Sequence, residues 1–180
     1  MQYDQQAQRQ AWIEGLAQLR EQGYKAFYVA IGCQGGRKAG VPGEDAEGIQ
    51  TAVSLLRTVG GDEAHKMTGK TVVIGGGNVA IDAARVSMRC GSDEVTMVCL
   101  EPREKMPASP EEIAEAEEEG TKITCGYGPK EFLSENGHVT AVVFKRCTGL
   151  YNAEGRFAPT YDENDTITLP YEGAWSYTWK

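Results

Sequence analysis

At 180 residues with a formal net charge of −8, the chain has length for one well-packed domain, or one domain and a fragment. That charge, with no offsetting basic stripe, argues against nucleic acid as a partner, and no apolar run or signal pattern points to a membrane. Five scattered cysteines, no C-x-x-C and two isolated histidines, His65 and His138, argue against a metal site, an iron–sulfur site or a disulfide framework and favour reduced cytoplasm.

Residues 5–22 read as a helix, with Trp12, Leu16 and Leu19 at helical spacing and Gly23 as its stop. Residues 26–31 form a short apolar strand ending at Gly32, and a glycine-rich loop follows to Gly48, with Pro42-Gly43 as a turn. A helix is expected over 49–59 and a polar connection over 60–68. An apolar strand over 71–74 runs into three glycines, and a helix over 78–89 starts at once. A second strand is expected over 94–100, ending at Glu101.

Ser109 as N-cap, Pro110 at the first helical position and Glu112 three residues after the serine make a capping-box start for a helix over 110–119. Its acidic first turn suits the helix dipole and reads as a solvated face. A third strand is expected over 121–125. Strands over 131–133 and 139–146 flank Asn136-Gly137, a hairpin turn signal, and 167–169 is one more strand. Cys99 and Cys125 fall in predicted strands and read as buried, inert thiols. The order β-α-β-α-β followed by a meander predicts an α/β fold: a three-layer Rossmann-like dinucleotide-binding domain with a right-handed parallel sheet and an antiparallel β-meander.

The stretch KTVVIGGGNVAIDAAR carries the chemistry. Its spacing is Gly75-x-Gly77-x-x-Ala80. The first glycine permits the sharp turn out of the strand, the second lets backbone approach a pyrophosphate, and the third position must be small for helix–strand packing. The helix start then offers unpaired N–H groups and a partial positive charge to phosphates. Gly75, Gly76, Gly77, Asn78, Val79 and Ala80 are therefore candidate cofactor-binding residues. Glu101, at the end of the second strand, is the expected partner of an adenosine ribose.

Three stretches resemble the pyridine-nucleotide-disulfide-oxidoreductase-like flavoproteins, in particular the glutamate synthase small (beta) subunit family. They are Gly23–Gly32 with Val41-Pro42-Gly43-Glu44-Asp45, the glycine fingerprint Val73–Arg85, and Arg103-Glu104-Lys105-Met106-Pro107-Ala108, which is similar to the family's R-x-x-M-P-A motif. The resemblance covers roughly residues 23–148. It implies a nucleotide domain that accepts hydride from NADH or NADPH and feeds FAD and iron–sulfur centres, with flavin, iron–sulfur and synthase partners. The family's cysteine clusters and its FAD-binding G-x-G-x-x-G are not in this sequence. The chain thus looks like an excised or truncated domain, with residues 1–48 a remnant of the FAD-domain edge and crossover, 49–170 the NAD(P)H-binding domain, and 171–180 an atypical aromatic tail.

NADPH-using relatives place arginines where Leu100 and Glu101 stand here. A carboxylate accepts hydrogen bonds from ribose hydroxyls and repels a 2′-phosphate, so NADH is expected over NADPH. Arg103, two residues on, is the group within reach of a 2′-phosphate, and Ala80 is common in NADP-binding fingerprints. The site therefore comprises Gly32, Gly75–Gly77, Asn78, Val79, Ala80, Glu101 and Arg103, where Gly32 approaches nucleotide or flavin at the domain crossover. Asn78 either contacts a phosphate or caps its helix. Asp82 either faces a flavin domain or is a surface acid, and Arg85 either touches a phosphate or makes an intrahelical salt bridge. Met106 either edges the pocket or packs in the core. No catalytic side chain and no metal ligand is expected, because the cofactors carry hydride transfer. The alternative is a non-catalytic nucleotide-binding module or sensor that docks to a separate flavoprotein. The tail aromatics Tyr171, Trp175, Tyr177 and Trp179 cover an open sheet edge or mediate homo-oligomer formation.

Overall fold

A computed structural model describes residues 5–28, 32, 35–36, 38–62, 64–170 and 175–177. The chain divides into two units, residues 1–34 and 35–180.

The first unit is built on helix α1 (Gln5–Glu21). Its end is closed by the Gly23 amide on the Arg20 carbonyl at 3.0 Å and the Tyr24 amide on the Leu19 carbonyl at 3.2 Å. This paired arrangement satisfies carbonyls that the helix itself leaves unpaired. The strand expected over 26–31 is not seen at Ala26, Phe27 and Tyr28, and positions 29–31 lie outside the described residues. Among the described residues this unit offers no second strand to complete a ladder, and Tyr28 is 95 % exposed.

The second unit holds helix α2 (Ala52–Gly61), strand β1 (Lys70–Ile74), helix α3 (Asn78–Arg89) and strand β2 (Glu94–Cys99). Helix α4 (Pro110–Glu118), strand β3 (Lys122–Cys125), strands β4 (Tyr127–Glu135), β5 (His138–Tyr151) and β6 (Phe157–Pro170), and the short strand β7 (Trp175–Tyr177) follow. Helix α2 starts three residues later than its apolar pattern suggests, because the Thr51 hydroxyl accepts the Ser54 amide at 3.1 Å and fixes the cap there.

Four strands form a parallel sheet in the order β3-β2-β1-β7, and three form an antiparallel sheet in the order β4-β5-β6. The tail thus contributes a strand: Val72, Val73 and Ile74 of β1 pair with Trp175, Ser176 and Tyr177. Alternation along the parallel strands divides the core. Val73, Val95, Met97 and Cys99 face α2, α3 and α4, packing against Leu55, Ile81, Ala84 and Ile113. Val72, Ile74 and Val98 face the antiparallel sheet, packing against Phe132, Val142 and Phe144. The result is three layers: helices, parallel sheet, antiparallel sheet. Each large side chain fully buried in this way contributes about 1.5–3 kcal/mol.

The β4–β5 hairpin turns at Asn136 (φ 51°) and Gly137 (φ 84°), both left-handed as a two-residue primed turn requires. Strands β5 and β6 are each 14 residues, far longer than the apolar segments that mark them in the sequence. Strand β6 is an edge strand with one face half-buried, so its polar sequence hides it, and an edge tolerates Pro159 and Pro170. Residues 42–47 fasten to this sheet: the Pro42 carbonyl accepts the Phe132 amide at 2.9 Å, and Glu47 bridges to His138.

Candidate functional site

The carboxyl ends of β1 and β2 open into a cavity of about 290 Å³. The glycine turn forms its floor. Gly75 has φ 138°, a conformation closed to side chains, and its amide donates to the Val98 carbonyl at 2.9 Å, locking the turn to β2. Gly76 is boxed in: a Cβ there would stand 3.0 Å from Cys99 Cβ and 3.0 Å from Glu101 Oε2. Gly77 is the opposite case. It is the N-cap of α3, no side chain caps it, and a Cβ there would meet nothing within 4 Å. The Ala80 and Ile81 amides close back on the Gly77 carbonyl at 2.9 and 3.2 Å, and the Asn78 and Val79 amides, at the positive end of the helix dipole, have no acceptor within α3. Ala80 is fully buried where α3 meets the sheet, so the small residue serves packing.

Val79 is 43 % exposed and lines the cavity with Ile74, Val98, Leu100, Pro107, Tyr127 and Phe157, so most of the wall is apolar. Glu101, half-buried, is the acidic side chain of the lining and stands beside the glycine turn. Its carbonyl accepts the Gly126 amide at 3.2 Å, which ties the end of β2 to the end of β3.

Asn78 also lines the cavity, and its side chain neither caps its own helix nor stands unused. Oδ1 accepts the Ser109 amide at 3.1 Å. The adjacent Ala108 amide donates to the Gly76 carbonyl at 3.0 Å. Together these bonds dock the Met106–Ser109 segment onto the glycine turn. Met106 itself is buried in the helical core. The Ser109 hydroxyl accepts the Glu112 amide at 3.2 Å, as the capping box requires. The reciprocal half does not form: Asn78 takes the Ser109 amide, and Glu112 Oε2 is buried without a partner.

Arg103 faces elsewhere. Its guanidinium pairs with Glu117 at 2.5 Å and lines a second hollow, of about 600 Å³, with Lys105, Cys125, Arg146 and Cys147. Arg85 reaches across helices rather than along its own: it pairs with Glu115 at 2.6 Å and Glu119 at 2.7 Å, and Arg89 also reaches Glu119 at 2.6 Å. The two arginines hold the Glu119 carboxyl down at about 2. Asp82 is an exposed helix acid. Gly32 belongs to the first unit.

Two groupings carry no local signal in the sequence. Arg146 donates to the Tyr127 hydroxyl at 2.5 Å and to Asp165 at 2.9 Å, with its guanidinium 4.0 Å from the Tyr127 ring centroid. Arg146 and the neighbouring Tyr127 hydroxyl hold the Asp165 carboxyl below its usual range. This network fixes Tyr127, whose side chain walls the first cavity. The second grouping is sulfur: Cys99 Sγ lies 3.7 Å from Cys125 Sγ, which lies 3.9 Å from Met106 Sδ. The expected inert thiols are thus neighbours.

A strand, a left-handed glycine, an uncapped helix start and an acid at the next strand's end are the parts of a dinucleotide site. The sequence profile of the pyridine nucleotide-disulphide oxidoreductases matches residues 4–154. The chain belongs to the pyridine nucleotide-disulphide oxidoreductase family. Among its relatives are the putative oxidoreductase AegA of Escherichia coli K12, 33 % identical over 168 residues, covering 86 % of this chain and 25 % of AegA. The NADPH-Fe(3+) oxidoreductase subunit beta of Geobacter sulfurreducens is 35 % identical over 149 residues, covering 80 % of this chain and 22 % of that subunit. The glutamate synthase (NADPH) small chain of Escherichia coli K12 is 32 % identical over 146 residues, covering 74 % of this chain and 31 % of that one. The chain therefore spans about a quarter to a third of the length of these relatives. FprA from Mycobacterium tuberculosis, solved with NADPH, shares the fold at 20 % identity and a TM-score of 0.68, covering 90 % of this chain and 51 % of FprA. Among the described residues no helix is long and apolar enough to cross a membrane, and no group of three or more His, Cys, Asp or Glu is placed to hold a metal ion.

Proposed function

We propose that this chain is the pyridine-nucleotide-binding part of a flavin-dependent oxidoreductase, that it holds NADH in preference to NADPH, and that it delivers reducing power to FAD and iron–sulfur centres carried elsewhere. The observation that carries this reading is the uncapped start of α3 at Gly77, opening on a cavity edged by the Glu101 carboxylate. The residues present fit the cofactor's diphosphate: the space a Cβ at Gly77 would occupy is empty, and the Asn78 and Val79 amides at the start of α3 have no acceptor within the helix. Glu101 accepts hydrogen bonds from the ribose hydroxyls, each worth about 1.5–3 kcal/mol for a charged acceptor. The apolar wall of Leu100, Val79, Tyr127 and Phe157 keeps water from the bound molecule.

The bound nicotinamide supplies a hydride to a flavin, and the protein's part is to hold it in place. Support for NADH comes from Glu101 and from the Arg103 guanidinium's pairing with Glu117. The names of several relatives read NADPH, which pulls the other way. Calorimetric titration with each nucleotide decides between them. Tighter binding of NADH, reversed toward NADPH by Glu101→Arg, is the expected result. Tighter binding of NADPH by the unaltered chain removes the preference, and no binding of either removes the reading.

A further inference from the structure

The sulfur pair beneath the glycine turn supports a second property. Cys99 and Cys125 are directly opposed on neighbouring parallel strands, β2 and β3. Such strands lie about 4.8 Å apart. That spacing falls inside the range of about 4.4–6.8 Å between Cα atoms that a disulfide accepts. The thiols already stand 3.7 Å apart with no atom needing to leave from between them. Their access differs. Cys125 is half-buried and lines the 600 Å³ hollow beside Arg103, Lys105 and Arg146, whereas Cys99 is 1 % exposed.

We propose that Cys99 and Cys125 are an oxidisable dithiol, closed to a disulfide by a peroxide that enters through the hollow, and that closure displaces the Glu101 segment. Cys125 is oxidised first, being the accessible partner. Its thiolate sulfur bonds to one peroxide oxygen, the O–O bond breaks, and the departing hydroxide takes a proton to become water. The Cys125 sulfenic acid so formed is then attacked by the Cys99 sulfur. The S–O bond breaks and hydroxide leaves with the Cys99 proton as a second water. Two thiols lose two electrons in all, and one peroxide becomes two waters. Burial, and then the neighbouring Cys125, push the Cys99 thiol well above its ordinary range, so Cys99 stays protonated and is not the first to react, and its 3.7 Å nearness to Cys125 rather than its acidity carries the second step.

Closure has a mechanical consequence. The sulfurs must approach by about 1.6 Å to reach a bond of about 2.05 Å. Cys99 Sγ now rests 3.4 Å from the Glu101 carbonyl, and its Cβ lies directly under Gly76. Turning Cys99 toward Cys125 takes the sulfur off that carbonyl, which also holds the Gly126 amide.

The test is treatment of the full chain with hydrogen peroxide, followed by alkylation and peptide mapping. A Cys99–Cys125 crosslinked peptide, reversed by dithiothreitol, absent in Cys125→Ser and retained in Cys147→Ser, is the expected result. Hydrogen exchange at the Gly126 amide should quicken on oxidation. Both thiols still alkylatable, or Cys125 driven to sulfinic acid with Cys99 reduced, overturns the pair. A crosslink with unchanged Gly126 exchange overturns the displacement. Neither readout needs a bound nucleotide, so their failure is separable from failure of the function proposed above. Where NADH binds, oxidation should weaken it about fivefold or more.

Discussion

The side-chain oxygen of Asn78 accepts a hydrogen bond from the backbone N–H of Ser109, across 3.1 Å. One residue at the start of α3 therefore holds the start of α4. Replacing it tests the joint. Asn78→Ala leaves α3 uncapped as before but strands the Ser109 amide, so stability should fall by about 1 kcal/mol in urea unfolding. Nucleotide affinity should fall as well, because the Pro107 wall of the cavity is docked through the same joint.

Gly76 and Gly77 are adjacent, yet their alanine variants should fail in different ways. Gly76→Ala forces a methyl to within 3.0 Å of Cys99 Cβ and of Glu101, so it should cost about 1–3 kcal/mol of stability. Gly77→Ala meets open space at an ordinary φ of −94°, so its thermal midpoint should hardly move. On the proposed function that methyl would stand where the diphosphate binds, so nucleotide binding should drop tenfold or more, by about 1.4 kcal/mol at least. Paired melting curves and titrations separate the two effects.

Acid should loosen the contact between α3 and α4. The Glu119 carboxyl is held at about 2 by Arg85 and Arg89, below its ordinary 4.5. A carboxyl lowered by folding adds stability above its unfolded value and loses that contribution as pH falls from about 4.5 toward 2. Unfolding midpoints measured across that window should decline for the natural chain and decline less for Glu119→Gln.

Phe144 is fully buried between the two sheets. Phe144→Ala should cost about 3–5 kcal/mol, and chemical denaturation should show loss of the antiparallel layer's support for β1 and β2.

Legibility in the sequence followed the range of the forces involved. The strand, three glycines and helix at Lys70–Arg89 were readable because a turn and a helix start are set by neighbours in the chain. So were the Asn136-Gly137 hairpin and the Ser109 cap. The family resemblance rests on the glycine stretch together with residues 23–32, 41–45 and 103–108, and agrees with the profile match. The length of β6 was not readable, because an edge strand of alternating half-burial needs no apolar run. Nor was the destination of Arg85, whose partners Glu115 and Glu119 lie some thirty residues away. The meeting of Cys99 with Cys125 depends on the register of β2 against β3, which no local pattern encodes. Residues 26–28, the described half of the strand expected over 26–31, show the limit from the other side: an apolar run is insufficient where, among the described residues, its unit provides no ladder.

The placement of β7 bears on how the chain reaches its native state. Val72 meets Thr96 of β2, 24 positions along, but meets Trp175 on its other side, 103 positions along. Loop closure makes the near pairing quick and the far one slow. During synthesis the β1–β2 pair can assemble well before residue 175 has left the ribosome, and one flank of β1 waits with its amides and carbonyls unpaired. An unpaired flank of Val72, Val73 and Ile74 is a template for any passing strand. The interval before β7 arrives is thus the period in which two nascent copies are most prone to join edge to edge, and a chaperone or slow cooling would have its largest effect there.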